Sequence, residues 1–417
     1  MICSTPYREN SIVSIAVITA SNARLERFYT TLYTARWQKS VQRLPLIGPK
    51  LAAEFGRRAY AGIPTAQVTN LAILPELVHV GTRRLLGSHW PALATSRMYG
   101  VKAQFDKAVA RRLTRQPADA LVSMYGASLE SFRAIHEHGG MAVLNFVNSH
   151  PAEHNRYLAE YAGLDTTHHE MIPAWVAARV EAELALADLV LVPSHFVVHQ
   201  LLAHGVAADK IAMLPYGVDL RAFQPRSWPD SDKHPLECLY VGQISHRKGI
   251  RVLLDAARRC RGLPVRFRLI GPMVSAEVFD GGLPDNVIYE GPNLPGGVAE
   301  AMRQAGLFVL PTLEDSFALV VFEAMATGLP VVTTTNAGSA ELIEDGQDGL
   351  IVPAGDAAAL TEAIRRLLEQ PELRQQLGDA ARAKVQRAHS WDAYGASVLQ
   401  AIDARRLQPV QRGVQLP

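Results

Sequence analysis

The chain has 417 residues, 48% of them hydrophobic and 20% charged, at a mean hydropathy of +0.03. One hydrophobic core rarely serves that length, so two domains of about 200 residues each are expected. Cys3, Cys238 and Cys260 are odd in number, far apart and without Cys-x-x-Cys spacing, which argues against a disulfide framework or a metal site and for a reduced, cytoplasmic setting. No apolar run approaches the roughly 18 residues of a membrane span. The net charge of +2 hides an asymmetry: residues 1–116 carry 17 Lys and Arg against 5 Asp and Glu, a net of +12 that leaves −10 for the remainder. A basic field of that kind attracts anionic membranes, lipid-linked phosphates or polyanionic substrates, or is the solvated surface of helical segments such as 102–115. No basic repeat is interleaved with aromatics, so nucleic acid is not an expected partner.

In chain order, residues 12–18 alternate around Ser14 and read as a first β-strand in preference to a short signal segment. The turn after it, 19–23, has no glycine. Residues 23–91 are basic, with amphipathic pieces such as Leu25, Phe28 and Leu32 that suggest a membrane-bound acceptor. Strands are expected at 120–124 and 142–146, then Asn148-Ser149-His150-Pro151. From 185 a buried strand ends at Pro193-Ser194, a helix covers 195–204, a strand 210–214, and Pro215-Tyr216-Gly217 makes a hinge. Beyond it strands at 237–241, 265–270, 306–310 and 331–335 alternate with helices starting at 250, 297, 319 and 340, and a last helix runs 396–405 after Ser390-Trp391. Alternation of this kind means parallel sheets covered on both faces, hence an α/β fold of two doubly wound domains facing across a hinge.

The most informative stretch is 311–332: a buried strand, the acidic turn Glu314-Asp315-Ser316, an apolar helix, a Gly328-Leu329-Pro330 turn and a second buried strand. Such strand-to-helix turns at the carboxyl edge of a parallel sheet hold phosphorylated ligands, because unpaired helix N–H groups point at the anion. Glu323 is a carboxylate in the first turns of an apolar helix, where packing gives little reason for one. Lys248, beside Arg247 and after Gly242, opens another helix, where a cation opposes the helix dipole and so points to a role in neutralising an anion.

Together, Tyr240-Val241-Gly242 to Lys248-Gly249, the segment 315–323, Asn336-Ala337-Gly338-Ser339, Asp348-Gly349-Leu350, the hinge 214–219 and Ser390-Trp391-Asp392 resemble the retaining glycosyltransferases of family 4 over about residues 185–395. The resemblance implies the GT-B architecture. Residues 1–216 would form an N-terminal acceptor-binding domain, 217–395 a C-terminal donor-binding domain, and about 396–417 a crossover helix and tail returning to the first. It implies transfer of a hexose-type sugar from a nucleoside diphosphate sugar to an acceptor hydroxyl in polysaccharide, lipopolysaccharide or glycolipid synthesis, without a cofactor or metal, in the cytoplasm or peripherally at the inner membrane face. A nucleotide-sugar epimerase of the same scaffold and a catalytically inactive sugar-nucleotide-binding subunit are the alternatives.

By the same resemblance Lys248 is the diphosphate lysine. Asp315, with Glu314 as its alternate, binds sugar hydroxyls, and Glu323 binds the ribose diol. The backbone N–H groups of Phe317, Ala318 and Leu319, with Ser316, would hold donor oxygens, and Gly338 would let backbone approach an anion. Gly271, Asn293 and Leu294 belong to loops that sandwich the base. His150 stands at the family's active-site histidine, although it or His154 could instead cap a loop. Gln243 replaces a frequent phosphate-binding Arg, and Arg247 could compensate.

Overall fold

The computed structural model describes residues 1–6, 11–21, 24–31, 33–34, 65–86, 91–226, 235–292, 297–388 and 390–407. Two parallel sheets carry the chain. The first is built from β1 (Ile2–Thr5), β2 (Arg27–Thr30), β3 (Val68–Asn70), β4 (Ala120–Met124), β5 (Met141–Asn145), β6 (Leu189–Val192) and β7 (Ile211–Met213), in the order 3-2-1-4-5-6-7. The second comprises β8 (Leu236–Val241), β9 (Val265–Ile270), β10 (Val287–Gly291), β11 (Leu307–Leu310), β12 (Val331–Thr334) and β13 (Leu350–Val352), in the order 10-9-8-11-12-13. Both are doubly wound: the first strand lies centrally, later strands are added on one side and then on the other, and every crossover is parallel. The expected GT-B arrangement of two Rossmann-like units is the one observed.

Thirteen helices of 8 to 23 residues flank the sheets among the described residues: α1 (Ser11–Ser21), α2 (Ile73–Leu86), α3 (Pro91–Leu113), α4 (Leu129–Glu137), α5 (Pro151–Ala162), α6 (Ala174–Leu186) and α7 (His195–Ala203) with the first sheet. With the second come α8 (Ile250–Arg259), α9 (Gly297–Gln304), α10 (Leu319–Ala326), α11 (Ala357–Glu369) and α12 (Pro371–Ala388), and the chain returns through α13 (Trp391–Leu407). The strands of both central layers are almost wholly buried, β4, β5, β6, β11 and β12 at every position. That is why they read as unbroken apolar runs rather than alternating ones.

Three sequence expectations change. Residues 12–18 are not the first strand but lie inside α1; the first strand is the four-residue β1 nearer the terminus. Ile15-Ala16-Val17-Ile18 is apolar at consecutive positions, so its period cannot separate strand from buried helix. The missing glycine at 19–23 therefore concerns a stretch that begins inside α1, which ends at Ser21, and residues 7–10, between β1 and α1 in sequence, lie outside the described residues. The helix expected from 340 is only a 3-10 turn, Gly338–Leu342. Leu25 and Phe28 are buried, Phe28 within β2, so they offer no amphipathic face to a membrane; Leu32 lies outside the described residues.

The end of the chain is tied to its beginning. α13 crosses α1 so closely that a Cβ on Gly395 would stand 2.3 Å from the carbonyl oxygen of Ala16. Tyr216 at the hinge packs edge-on against Phe317 at 5.0 Å and Tyr394 at 5.5 Å, so hinge, acidic turn and final helix share one aromatic cluster. Gly395→Val should force the two helices apart and destabilise the protein by about 1–3 kcal/mol, measured as a lower urea midpoint. Gly346, which has open space around the Cβ position, serves as the control position, with Asn as its substitution because its positive φ tolerates Asn.

Candidate active site

The site forms where the second sheet reverses its winding. β8 and β11 are hydrogen-bonded neighbours although two strands separate them in sequence, so the loops at their carboxyl ends diverge and leave a crevice. The loop 242–249 lies against 311–318: Leu313 N–H donates to the Arg247 carbonyl at 2.9 Å and the Thr312 hydroxyl to the same oxygen at 3.1 Å. Gly249 makes the approach possible. Its φ is +72°, and a Cβ there would lie 1.7 Å from the Pro311 carbonyl oxygen.

This contact brings Lys248 and Asp315 together. Lys248 Nζ donates to Asp315 Oδ2, while Asp315 Oδ1 accepts from the N–H groups of Phe317 at 3.3 Å and Ala318 at 3.0 Å. Ala318 holds φ +64°, a conformation that costs a non-glycine residue about 1–3 kcal/mol, and the Asp315 bonds keep it there. Burial lowers the Lys248 pKa and the neighbouring Arg247 charge lowers it further, against the pull of Asp315. Two of the three backbone donors expected to face a ligand are thus satisfied internally by Asp315, and Phe317 is a packing residue, edge-on to Tyr216 and Phe322.

Glu314 is turned toward the first sheet. Its carboxylate accepts from the Ser149 hydroxyl at 2.5 Å, contacts His154 Nδ1 at 2.8 Å and lies 3.7 Å from the Arg247 guanidinium. Burial by itself would raise its pKa; His154, Arg247 and Ser149 outweigh that and hold it at about 2. Arg247 also donates to the Glu314 carbonyl at 3.2 Å. A second carboxylate, Glu170 from the first half, accepts from the N–H groups of His246 at 2.9 Å and Arg247 at 3.0 Å and from the Ser275 hydroxyl. Burial opposes its ionisation, but these bonds bring its pKa below the ordinary value. The Ser316 hydroxyl donates to the Val147 carbonyl and the Ser194 hydroxyl to the Ser316 carbonyl, each at 2.7 Å. The acidic turn is therefore stitched to both sheets.

The remaining expected residues separate. Glu323 sits on α10 half-buried, and among the described residues no hydrogen bond or ion pair engages its carboxylate; burial raises its pKa to about 7. Gly242 and Gly271 bring two strand-end loops together, since a Cβ on Gly271 would stand 1.7 Å from the Gly242 carbonyl oxygen. Gly338 packs against the acidic turn. Its N–H donates to the Asp315 carbonyl at 2.8 Å, and a Cβ would lie 2.1 Å from the Ser316 carbonyl oxygen. Asn293 and Leu294 lie outside the described residues.

His150 does not join this cluster. It N-caps α5, its Nδ1 accepting from Ala152 N–H at 3.3 Å, its Nε2 lies 2.8 Å from Glu181, and its ring stacks on His204 at 3.7 Å. One helical turn along α5, His154 reaches the acidic turn instead. Ser149, His154, Glu170 and Ser275 were not singled out for this cluster from sequence. They come from loops or first turns without periodicity, and only the order of strands reveals that they converge.

Three groups could offer three ligand atoms to a metal within 4.8 Å: His150, Glu181 and His204; His168, His246 and Glu277; and His168, His169 and Glu170. In the second, both nitrogens of His168 are engaged, Nε2 lying 2.9 Å from Glu277 Oε1 and Nδ1 accepting from Glu170 N–H at 3.2 Å. None of the three includes Lys248, Asp315 or Glu323.

Residues 235–370 match the family described as Glycosyl transferases group 1. The chain is 31% identical over 223 residues to a D-inositol 3-phosphate glycosyltransferase of Arthrobacter sp. (strain FB24), covering 48% of this chain and 53% of that protein. It thus spans about half the length of the curated relatives it matches. Its fold resembles sucrose-phosphate synthase from Thermosynechococcus elongatus, with a TM-score of 0.68 at 20% identity over 97% of this chain and 98% of the other. It also resembles HepE of Anabaena, whose structure was determined in complex with UDP, with a TM-score of 0.66 at 15% identity over 97% and 99% of the two chains.

The unpartnered Glu323 yields a stability prediction. Its folded pKa of about 7 stands above the ordinary 4.5, so the carboxyl carries no penalty below about pH 4. As pH rises from there to 7 the unfolded chain ionises first and stability falls. Glu323→Gln should remove that loss and stabilise the protein at pH 8 by up to about 3 kcal/mol, with little change at pH 4, read from urea unfolding at both pH values.

Proposed function

We propose, from the match of residues 235–370 to the family described as Glycosyl transferases group 1, that the chain is a metal-independent, retaining glycosyltransferase. It transfers a hexose-type sugar from a nucleoside diphosphate sugar to an acceptor hydroxyl in polysaccharide, lipopolysaccharide or glycolipid synthesis. Residues 217–395 take the donor and 1–216, joined by α13, take the acceptor. The observation that carries the reading is the collection of Lys248, Arg247, Glu314 and Asp315 at the switch point of the second sheet, with the unpartnered Glu323 on the helix that follows.

Each cation there is now balanced by a carboxylate, Lys248 by Asp315 and Arg247 by Glu314. A diphosphate entering the crevice exchanges anion for anion at sites already built for negative charge. Lys248 and Arg247 stabilise the departing diphosphate as the bond from its oxygen to the anomeric carbon breaks. The acceptor oxygen bonds to that carbon from the same face, and its proton passes to the leaving phosphate. Asp315, released from Lys248, takes sugar hydroxyls, and Glu323 takes the ribose diol. UDP-glucose is the first donor to try, because the similar HepE binds UDP. Peripheral attachment to the inner membrane face is supported by α2, which exposes Leu74, Leu77 and Val78 at helical spacing. No described helix is long and apolar enough to cross a membrane.

The test incubates the protein with EDTA and UDP-, GDP-, ADP- and dTDP-sugars and follows release of nucleoside diphosphate, with the anomeric configuration of the product read by proton NMR. One donor should turn over with its configuration kept, and Lys248→Ala should lower turnover about 10²–10³-fold. Inversion, dependence on added metal, or full turnover by Lys248→Ala would contradict the proposal.

A further inference from the structure

The three histidine and carboxylate groups differ in what their donor atoms can do. The rings of His150 and His204 lie 3.7 Å apart and 13° from parallel, so their in-plane lone pairs run side by side and do not meet on one ion. In the group of His168, His169 and Glu170, the Glu170 carboxylate already accepts from three donors, and His169 Nε2 lies 3.2 Å from the Val274 carbonyl oxygen, which makes that nitrogen a donor. The group of His168, His246 and Glu277 is different. His246 is 4% exposed, and its Nε2 is buried without a hydrogen-bond partner among the described residues. A buried polar atom with no partner requires an explanation. This nitrogen lies 3.7 Å from Glu277 Oε1, which is in turn 2.9 Å from His168 Nε2. The His168 and His246 rings stand edge-on, 5.3 Å apart at 89°, so both ring planes can contain one point between them.

We propose that His168, His246 and Glu277 bind a Zn²⁺ ion that clasps the two halves of the molecule. Two imidazole nitrogens and one carboxylate oxygen suit Zn²⁺ and leave its fourth position to water. Donors on a tetrahedral ion stand about 3.3 Å apart for bonds of about 2.0–2.1 Å, and the 2.9 and 3.7 Å separations lie on either side of that value. Ligation uses the His168 Nε2 lone pair, so the ring proton moves to Nδ1 and the contact of Nδ1 with the Glu170 N–H gives way. That contact is 3.2 Å long and spans two residues; water accepts the new Nδ1–H, because the side chain is partly exposed. Arg251 faces the group as a cation, but it is held on the Glu277 carbonyl oxygen at 3.0 Å, and the Glu170 carboxylate offsets its charge. His168 belongs to the segment between α5 and α6 on the first sheet, whereas His246 and Glu277 follow β8 and β9 of the second. His246 directly precedes Arg247 and Lys248, so a bound ion ties their loop to the first half and opposes opening of the cleft. Transfer needs no such ion. The ion restrains entry and exit of the donor, and only this consequence rests on the proposed function.

The experiment strips the full chain with EDTA, removes the chelator and titrates zinc sulfate by calorimetry, then repeats the titration with Co²⁺, whose visible absorption reports four-coordination. Wild type should take up a single ion, show the tetrahedral cobalt bands, gain Tm as zinc is added, and gain hydrogen-exchange protection at residues 168–170 and 246–249. Glu277→Gln and His168→Gln should each weaken zinc binding by at least the roughly 10–100-fold that loss of an outer-shell partner costs. Their unfolding without metal, at a Tm near that of wild type, confirms that both are folded. His204→Gln and His199→Gln, which remove other histidines able to hold zinc, should bind it as wild type does. Where a donor turns over, zinc should slow wild type and leave Glu277→Gln unaffected. No uptake by wild type, uptake that survives in both Glu277→Gln and His168→Gln, or uptake lost in His204→Gln or His199→Gln overturns the site. Binding without protection at 246–249, or without any effect on donor turnover, overturns the clasp. Failure of every nucleotide sugar to turn over, with zinc uptake as described, counts against the transferase reading and leaves the zinc site standing.

Discussion

The site depends on one constraint: every cation in the crevice is balanced by a carboxylate of the same chain. Lys248 is buried, which by itself disfavours its charge, and Asp315 supplies the compensating charge. Removing one partner of such a pair costs more than the pair contributes, because an uncompensated buried charge remains. The loops after β8 and β11 are thereby obliged to stay together, and with them the strained backbone at Ala318, the helix start of α10 and the approach at Gly249. Under the proposed function, an incoming diphosphate meets an anion-binding site that already exists and has only to displace an internal carboxylate.

The same logic extends across the cleft. Glu170 fills the backbone N–H groups of His246 and Arg247, and Glu314 gathers Ser149 and His154, so buried carboxylates join the two sheets beside the aromatic cluster of Tyr216, Phe317 and Tyr394. Polar interfaces of this kind permit relative movement of the two halves. Glu323 stands apart from the network with an unmatched carboxyl whose pKa rises to about 7. Its burial is a local cost to stability that packing does not explain, and such costs concentrate where ligands bind.

Much of the second half was legible in the sequence because its strands are short, rich in apolar residues and punctuated by Gly and Pro. The strand at 265–270 and the helix start at Leu319 coincide with those observed. Lys248, Asp315 and Glu323 stood out because charge placed against an apolar helix start has few packing reasons to be there. The first half was less legible. At 12–18 continuous apolarity hid the helical period, and β1 is too short to announce itself. His150 was the candidate because it comes after a strand at the place of the resembled family's active-site histidine; Pro151 starts α5 at once and makes His150 its cap, and His154, one turn later, reaches the acidic turn. Glu170 gives no sequence signal: its partners lie 76 and 77 residues away and meet it only after both sheets have formed.

The most direct test of the account is a crystal structure of the protein with a bound nucleoside diphosphate in metal-free buffer. The account predicts that Lys248 Nζ leaves Asp315 for a phosphate oxygen, that Arg247 turns toward the same group, and that Glu323 accepts from the ribose hydroxyls. A diphosphate bound elsewhere, with the Lys248–Asp315 pair intact and Glu323 still unpartnered, would contradict it.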